Sequence, residues 1–107
     1  HFDPEQLRSV LINLIDNAVA ATEAPGTVTL SSRVEDRKLV LQVADTGVGI
    51  PAEDRERVFL PYFSTKGRGT GLGLSIVHRI VTDHHAYISV VENRPHGTVF
   101  RLEVPIP

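Results

Sequence analysis

The sequence predicts an α+β fold, a two-layer α/β sandwich in which helices cover one face of a mixed, mostly antiparallel sheet. The order of the elements indicates this fold, because a helix is followed by two strands, a short helix, a loop, a second long helix and two more strands. The length indicates a single domain over residues 1–107. The composition, 41% hydrophobic and 22% charged residues, is that of an ordinary globular protein.

The first helix is predicted to begin at Asp3. This residue is a suitable N-cap, Pro4 suits the first helical position, and Gln6 lies three residues after the cap. Apolar residues then recur at the spacing of one helix face, at Leu7, Val10, Leu11, Leu14, Ile15, Ala18 and Val19. Pro25 and Gly26 are predicted to stop the helix.

Four segments are predicted to be strands. Residues 27–34 and 38–44 are rich in strand-forming side chains, and a polar turn at residues 35–37 joins them into a hairpin. Residues 87–91 and 98–104 alternate between apolar and polar side chains, and the polar stretch between them is predicted to be a turn.

The middle of the chain connects the hairpin to these last strands. Residues 45–49 are predicted to form a glycine-rich turn, residues 52–59 a short helical stretch and residues 60–70 a loop. A second amphipathic helix follows, marked by Leu72, Ile76, Val77, Ile80 and Val81.

Composition and charge exclude several classes of protein. The chain has no cysteine, which excludes disulfide scaffolds, zinc–thiolate sites and cysteine catalysis. Its net charge of −2 argues against a generic nucleic-acid-binding protein. No apolar run approaches the roughly 20 residues of a membrane span, so we expect no membrane contact from this chain.

Two amides share one face of the first helix. Asn13 and Asn17 are four residues apart, and helical geometry places both at the edge of the apolar stripe. Neutral oxygens in such a pair could bind a hydrated Mg²⁺. Two asparagines on an ordinary helix surface would also explain the pair, and for this pair alone that is the simpler interpretation.

A carboxylate follows the second predicted strand directly. Asp45 at a strand end could accept a hydrogen bond from the exocyclic amine of a base, and Gly47 and Gly49 would let the backbone approach a flat ring. A tight turn capped by an aspartate gives the same residues.

A third glycine-rich segment precedes the second long helix. Gly69, Gly71 and Gly73 permit backbone N–H groups to turn toward an anion, and Lys66 and Arg68 could reach phosphates. A flexible hinge is the alternative. The segment is neither a dinucleotide-binding fingerprint nor a Walker A loop, because it lacks the preceding strand and the G-K-[ST] ending.

Together and in this order, the motifs resemble the ATP-binding catalytic domain of bacterial sensor histidine kinases, in the gyrase–chaperone–kinase–MutL ATPase superfamily. Five motifs carry the resemblance: the N box (N-L-I-D-N-A, 13–18), the G1 box (D-T-G-V-G, 45–49), the F box (F-L-P-Y-F, 59–63), the G2 box (G-T-G-L-G-L, 69–74) and the closing G-T-V-F (97–100). The short segment that joins the F box to the G2 box, residues 63–69, is most similar to kinases of the nitrogen-regulation type, which have a compact ATP lid.

The resemblance implies a complete ATP·Mg²⁺ site. It implies that Asn17 binds Mg²⁺ with Asn13 beside it, and that Asp45 holds the adenine amino group with Thr98 nearby through water. The residues implied to line the base pocket are Gly47, Gly49 and Ile50. Those implied to contact phosphates or anchor the lid are Phe59, Phe63, Lys66, Arg68, Gly69, Thr70, Gly71, Leu72 and Gly73.

The resemblance also implies the reaction and the partners. The γ-phosphoryl group of ATP would pass to a histidine on a separate dimerisation domain, and then to an aspartate of a response regulator. His1 and His78 lack the sequence context of that phosphoacceptor, so we expect a cytoplasmic, monomeric fragment of a longer kinase with no catalytic residue of its own.

Three departures from the family pattern are informative. Asn13 stands where superfamily ATPases carry a glutamate that activates water, which favours transfer to another nucleophile over hydrolysis. Ala20 replaces a common phosphate-binding cation, which we expect to be a minor change. His84-His85-Ala86 replaces H-G-G, so we expect a costlier left-handed helix cap without functional effect.

Two other functions fit the same motifs. A serine kinase of the anti-sigma type shares the fold and would act on a separate protein without a dimerisation domain. A degenerate nucleotide-binding module would keep the pocket and lose transfer. Because residues 64–71 contain several glycines and few apolar side chains, we expect this segment to be the most mobile part of the empty domain.

Overall fold

The computed structural model describes residues 2–22, 25–55, 57–60 and 73–106. Its elements in chain order are α1 (Pro4–Ala21), β1 (Val28–Glu35), β2 (Lys38–Asp45), two 3₁₀ turns (Ala52–Asp54 and Arg57–Phe59), α2 (Gly73–Asp83), β3 (Tyr87–Glu92) and β4 (Thr98–Pro105). The predicted order of helices and strands is confirmed.

The four strands form one sheet in the order β1-β2-β4-β3, and each of its three pairings is antiparallel. The turn between β1 and β2 consists of Asp36 and Arg37, both with positive φ (50° and 62°). Turns of this kind match the right-handed twist of a hairpin. The last strand, β4, lies between strands that are distant in sequence and brings its first residues beside the end of β2.

The core lies between one face of this sheet and the two helices. Side chains alternate across a strand, so Val43, Phe100 and Leu102 share the face that points to the helices. The helices bury Val10, Leu14, Ala18, Val77, Ile80 and Val81 against it. Asp45 is the next inward position after Val43, so its carboxylate faces the helix layer at the end of the core.

The opposite face of the sheet carries a chain of ion pairs around Val40. This side chain is only 1% exposed, because its cross-strand neighbours Arg33 and Glu103 flank it. The hydrogen bond from Arg33, together with the charges of Arg33 and Arg101, holds the pKa of Glu35 below its usual value. The pairs are Arg33–Glu35 (2.7 Å), Glu35–Arg101 (3.5 Å), Arg101–Glu103 (3.5 Å) and Lys38–Glu103 (3.0 Å).

The start of α1 follows the prediction and its end does not. The Asp3 carboxylate accepts from the N–H groups of Glu5 and Gln6, as an N-cap should. The helix ends at Ala21 rather than at the proline and glycine that follow it, because the hydroxyl of Thr22 donates to the Ala18 carbonyl (2.8 Å).

Two further predictions are settled by backbone geometry. The helical stretch over 52–59 is two 3₁₀ turns, closed by bonds such as Asp54 N–H to the Pro51 carbonyl (2.9 Å). The left-handed cap of α2 is confirmed, since His85 has φ 58° and the Ala86 N–H donates to the Val81 carbonyl (3.0 Å).

Within the described ranges, no helix has the length and apolar character needed to cross a membrane. The predicted loop beyond Leu60, and with it the expected mobility of residues 64–71, lies outside the described residues.

Candidate functional site

The carboxylate of Asp45 is buried, and the described residues form hydrogen bonds to just one of its two oxygens. The residue is 1% exposed. Its Oδ1 accepts from the N–H groups of Gly47 (2.9 Å) and Thr98 (3.2 Å). Its Oδ2 is buried and has no hydrogen-bond partner among the residues that the structure describes. Because an unpaired buried acceptor is costly, this oxygen indicates a place for a donor from a ligand.

The turn after Asp45 packs directly on the end of α1. A Cβ on Gly47 would lie 2.1 Å from the carbonyl oxygen of Ala21, so no side chain fits at this position. The Val48 N–H donates to the same carbonyl (3.3 Å). Beyond it, Gly49 has φ 79°, a conformation that favours glycine. Ile50 packs partly buried against the core. The G1 residues therefore form a compact turn at one end of α1.

The loop between β3 and β4 closes over this turn. Gly97 has φ 118°, and a Cβ there would lie 2.0 Å from the carbonyl oxygen of Asp45. The Asn93 side chain donates from Nδ2 to the same carbonyl (2.7 Å). The His96 ring bonds through Nδ1 to the Gly47 carbonyl (3.1 Å), so Nδ1 carries the proton. Neither Asn93 nor His96 was predicted to belong to the site, because both lie in the predicted turn between the last two strands.

Thr98 lies beside Asp45, as predicted. The contact is a direct bond from its backbone N–H to Oδ1, and the residue is 3% exposed. The water-mediated role toward a base stays a prediction.

The two amides of α1 lie at the other end of the site. Asn13 donates from Nδ2 to the Ser9 carbonyl (2.8 Å), which leaves its Oδ1 beside the first residue of α2. A Cβ on Gly73 would lie 3.0 Å from that oxygen. Asn17 is half-buried, and none of its contacts with the described residues is a hydrogen bond. In the part of the chain that the structure describes, neither amide oxygen accepts a hydrogen bond, so both can serve as ligands.

Helix α1 sets the distance between the two ends of the site. At about 1.5 Å per residue, Asn17 lies roughly 6 Å along the axis from Asn13 and roughly 6 Å from Ala21, which contacts the Gly47 turn. Near Asn13, the N-terminus of α2 adds the partial positive charge of a helix end. The arrangement pairs a buried acceptor at one end with amides and a helix N-terminus at the other.

Phe59 packs between the sheet and α2, in contact with Phe100 and His78. Its ring meets Phe100 edge-on (centroids 6.3 Å apart) and lies 5.5 Å from the ring of His78. This is a suitable anchor, although the lid itself is not described. The other predicted lid and phosphate residues lie outside the described residues: Phe63, Lys66, Arg68, Gly69, Thr70, Gly71 and Leu72.

The chain matches a known family model over residues 2–107, described as "Histidine kinase-, DNA gyrase B-, and HSP90-like ATPase". It is similar to the sensor histidine kinase ZraS of Escherichia coli K12, with 38% identity over 104 residues. That match covers 97% of this chain and 22% of ZraS, so the chain spans less than a quarter of this relative's length.

Solved structures agree with the family match. Full-length ShkA in complex with AMPPNP has a TM-score of 0.85 and 37% identity, covering 94% of this chain and 21% of that chain. The histidine kinase ThkA in complex with the response regulator protein TrrA has a TM-score of 0.82 and 38% identity, covering 98% of this chain and 30% of that chain.

Proposed function

Because the chain belongs to the family of histidine kinase-, DNA gyrase B- and HSP90-like ATPases, we propose that it is the ATP-binding catalytic domain of a sensor histidine kinase. One observation carries the proposal: Oδ2 of Asp45 is a buried acceptor without a partner in the described structure. The similarity to histidine kinases in both sequence and structure supports it.

Asp45 would select adenine by its hydrogen-bonding capacity. Gly47 and Thr98 hold Oδ1, which leaves Oδ2 to accept from the 6-amino group of adenine. Guanine carries a carbonyl oxygen at that position, so two acceptors would face each other in a buried site. Since a hydrogen bond to a charged group contributes about 1.5–3 kcal/mol, we expect a clear preference for ATP over GTP.

The triphosphate would extend along α1 toward α2. The N-terminus of α2 at Gly73 favours negative charge, and the amide oxygens of Asn13 and Asn17 are suitable neutral ligands. Mg²⁺ suits this donor set, because it binds oxygen and keeps several waters. We propose that Asn17 holds it with Asn13 beside it. When bound, the ion neutralises phosphate charge.

The reaction needs alignment more than a base from this chain. The bond between the γ-phosphorus and the β–γ bridging oxygen breaks, and a phosphorus–nitrogen bond forms to an imidazole of the acceptor. An imidazole nitrogen has its own lone pair, so no carboxylate is needed at Asn13 to activate it. The acceptor would be a histidine on a dimerisation domain of a longer protein, of which this chain would be a fragment.

A response regulator would take the phosphoryl group from that histidine, as the complex of ThkA with a response regulator suggests by analogy. The cytoplasm is the expected location, since it holds the ATP. The isolated chain should bind nucleotide as a monomer and fail to phosphorylate itself.

Calorimetric titration of ATP with Mg²⁺ tests the proposal. Asp45→Asn places an amide donor where Oδ2 stood, facing the donor of adenine, and we expect about tenfold to 150-fold weaker binding. Asp36→Asn is the matched control, because it removes the same charge from an exposed turn that asparagine tolerates. Equal affinity of the wild type and Asp45→Asn would overturn the assignment of Asp45.

A further inference from the structure

We propose that Asn93 is a positioning residue for base recognition, one that holds the backbone of Asp45 so that Oδ2 alone points to the ligand. The inference rests on the proposed function. Asn93 forms no hydrogen bond with the carboxylate oxygens of Asp45. It would influence base recognition by fixing the position of the Asp45 main chain.

The orientation of the Asn93 side chain is fixed from both ends. Its Oδ1 accepts from the Arg94 N–H (3.0 Å), so the other end of the amide must be the donor. That donor, Nδ2, reaches the Asp45 carbonyl at 2.7 Å. The Asn93 N–H also donates to the Gly97 carbonyl (3.1 Å), which closes the loop on itself. The asparagine is thus a rigid part of the loop.

The contact joins strands that are not neighbours. Asn93 follows β3, Asp45 ends β2, and β4 lies between these strands in the sheet. The side chain can span this gap because Gly97 admits the Asp45 carbonyl close beneath it. The pairing of β2 with β4 ends at Ala44 and Val99, one residue before Asp45, and the Asn93 side chain supplies a donor to the Asp45 carbonyl.

One loop holds both polar groups of Asp45. Asn93 binds its carbonyl, and the Thr98 N–H binds Oδ1 of its carboxylate. The main chain and the side-chain torsion are fixed together, which leaves Oδ2 with a single direction. Pre-organised acceptors of this kind bind more tightly because less freedom is lost on binding. The bond from His96 to Gly47 adds a further attachment between the same two segments.

The test compares two nucleotides that differ only in the recognised group. Purine riboside triphosphate carries hydrogen where ATP carries the 6-amino group. Asn93→Asp is nearly isosteric and turns the donor into an acceptor facing the Asp45 carbonyl. Asn93→Ala removes the donor without adding charge. Arg94→Gln is the control, because it changes the net charge by the same −1 at the adjacent exposed residue.

We expect ATP to bind about tenfold more weakly to Asn93→Asp and about threefold more weakly to Asn93→Ala. Purine riboside triphosphate should bind each variant within about twofold of wild type, so the ratio of the two affinities falls. Equal losses for both nucleotides, or no loss, would overturn the inference. Failure of the wild type to bind ATP would instead overturn the proposed function. Thermal melting of each variant shows that the compared proteins are folded.

Discussion

Replacing each of the three glycines near Asp45 by alanine separates two destabilising effects: the steric clash of the new Cβ and the strain of a left-handed backbone. At Gly97 both the clash and the strain are expected, because φ is 118° and a Cβ would lie 2.0 Å from the Asp45 carbonyl oxygen. At Gly49 the φ of 79° is the main effect, because its Cβ would lie 3.3 Å from the Gly97 carbonyl oxygen, a tight contact that a small shift of the neighbour relieves. At Gly47 the clash applies, with the Ala21 carbonyl at 2.1 Å and φ outside the left-handed region.

The magnitudes follow from these distances. Alanine at either left-handed position costs on the order of 1–3 kcal/mol in backbone strain. In Gly97→Ala the Asp45 carbonyl must also retreat by about 1 Å to clear the new methyl group. That movement weakens the bond from Asn93, which contributes about 0.5–1.5 kcal/mol. We expect Gly97→Ala to lose about 2–4 kcal/mol, a large part of the 5–15 kcal/mol typical of a domain.

Urea denaturation measures the series. The midpoint should fall most for Gly97→Ala and less for Gly49→Ala, with the slope unchanged. Gly47→Ala should be destabilised by the clash with the Ala21 carbonyl and not by backbone strain. The clash is not easily relieved, because Ala21 is held at the end of α1. ATP binding should weaken in Gly97→Ala beyond what the loss of folded protein explains. If Gly97→Ala proves no less stable than Gly49→Ala, the close approach of the Asp45 carbonyl does not govern this site.

Two further predictions concern positions away from the site. His85→Gly should raise the free energy of unfolding by about 0.5–1 kcal/mol, because glycine adopts the φ of 58° without strain. A lower melting temperature of this variant by calorimetry would contradict the prediction. The lowered pKa of Glu35 means that its ion pairs stabilise the fold above the usual glutamate pKa and lose that effect as pH falls through the lowered value. Glu35→Gln should therefore lower the melting temperature at pH 7 and have less effect in acid below the lowered pKa. An equal effect at both pH values would show that the charge of Glu35 is irrelevant.

Local patterns in the sequence were sufficient for most of the fold. Asp3, Pro4 and Gln6 predicted where α1 begins, because capping depends on neighbouring residues alone. The end of α1 was misplaced, since Thr22 caps the helix with its own hydroxyl before the proline that was expected to stop it. The stretch after Pro51 was expected to be helical and is two 3₁₀ turns, with Val58 its one buried residue among those described there.

The candidate site was predictable where its chemistry lies within one segment. Asp45 and its glycines follow a strand directly, so one stretch of sequence was enough to single them out. Thr98 was named only through the family resemblance; its N–H bonds directly to Oδ1 of Asp45, and its role through water stays a prediction. The role of Asn93 could not be predicted from the sequence around it. Its bond to Asp45 spans 48 residues and depends on β4 entering the sheet between β2 and β3. No local spacing encodes that order.

The number of residues in α1 fixes the spacing and relative orientation of the two ends of the site, which limits where related chains can differ in length. Inserting one residue between Asn13 and Ala21 would rotate one end against the other by about 100°, turning the amides away from α2 while Ala21 still met Gly47. A single insertion or deletion there should be rejected, whereas the exposed residues Pro25 and Gly26 can absorb one at little cost. Between the two ends of the site, the exposed positions Asp16, Val19 and Ala20 can change residue type, but the number of residues in the stretch cannot change.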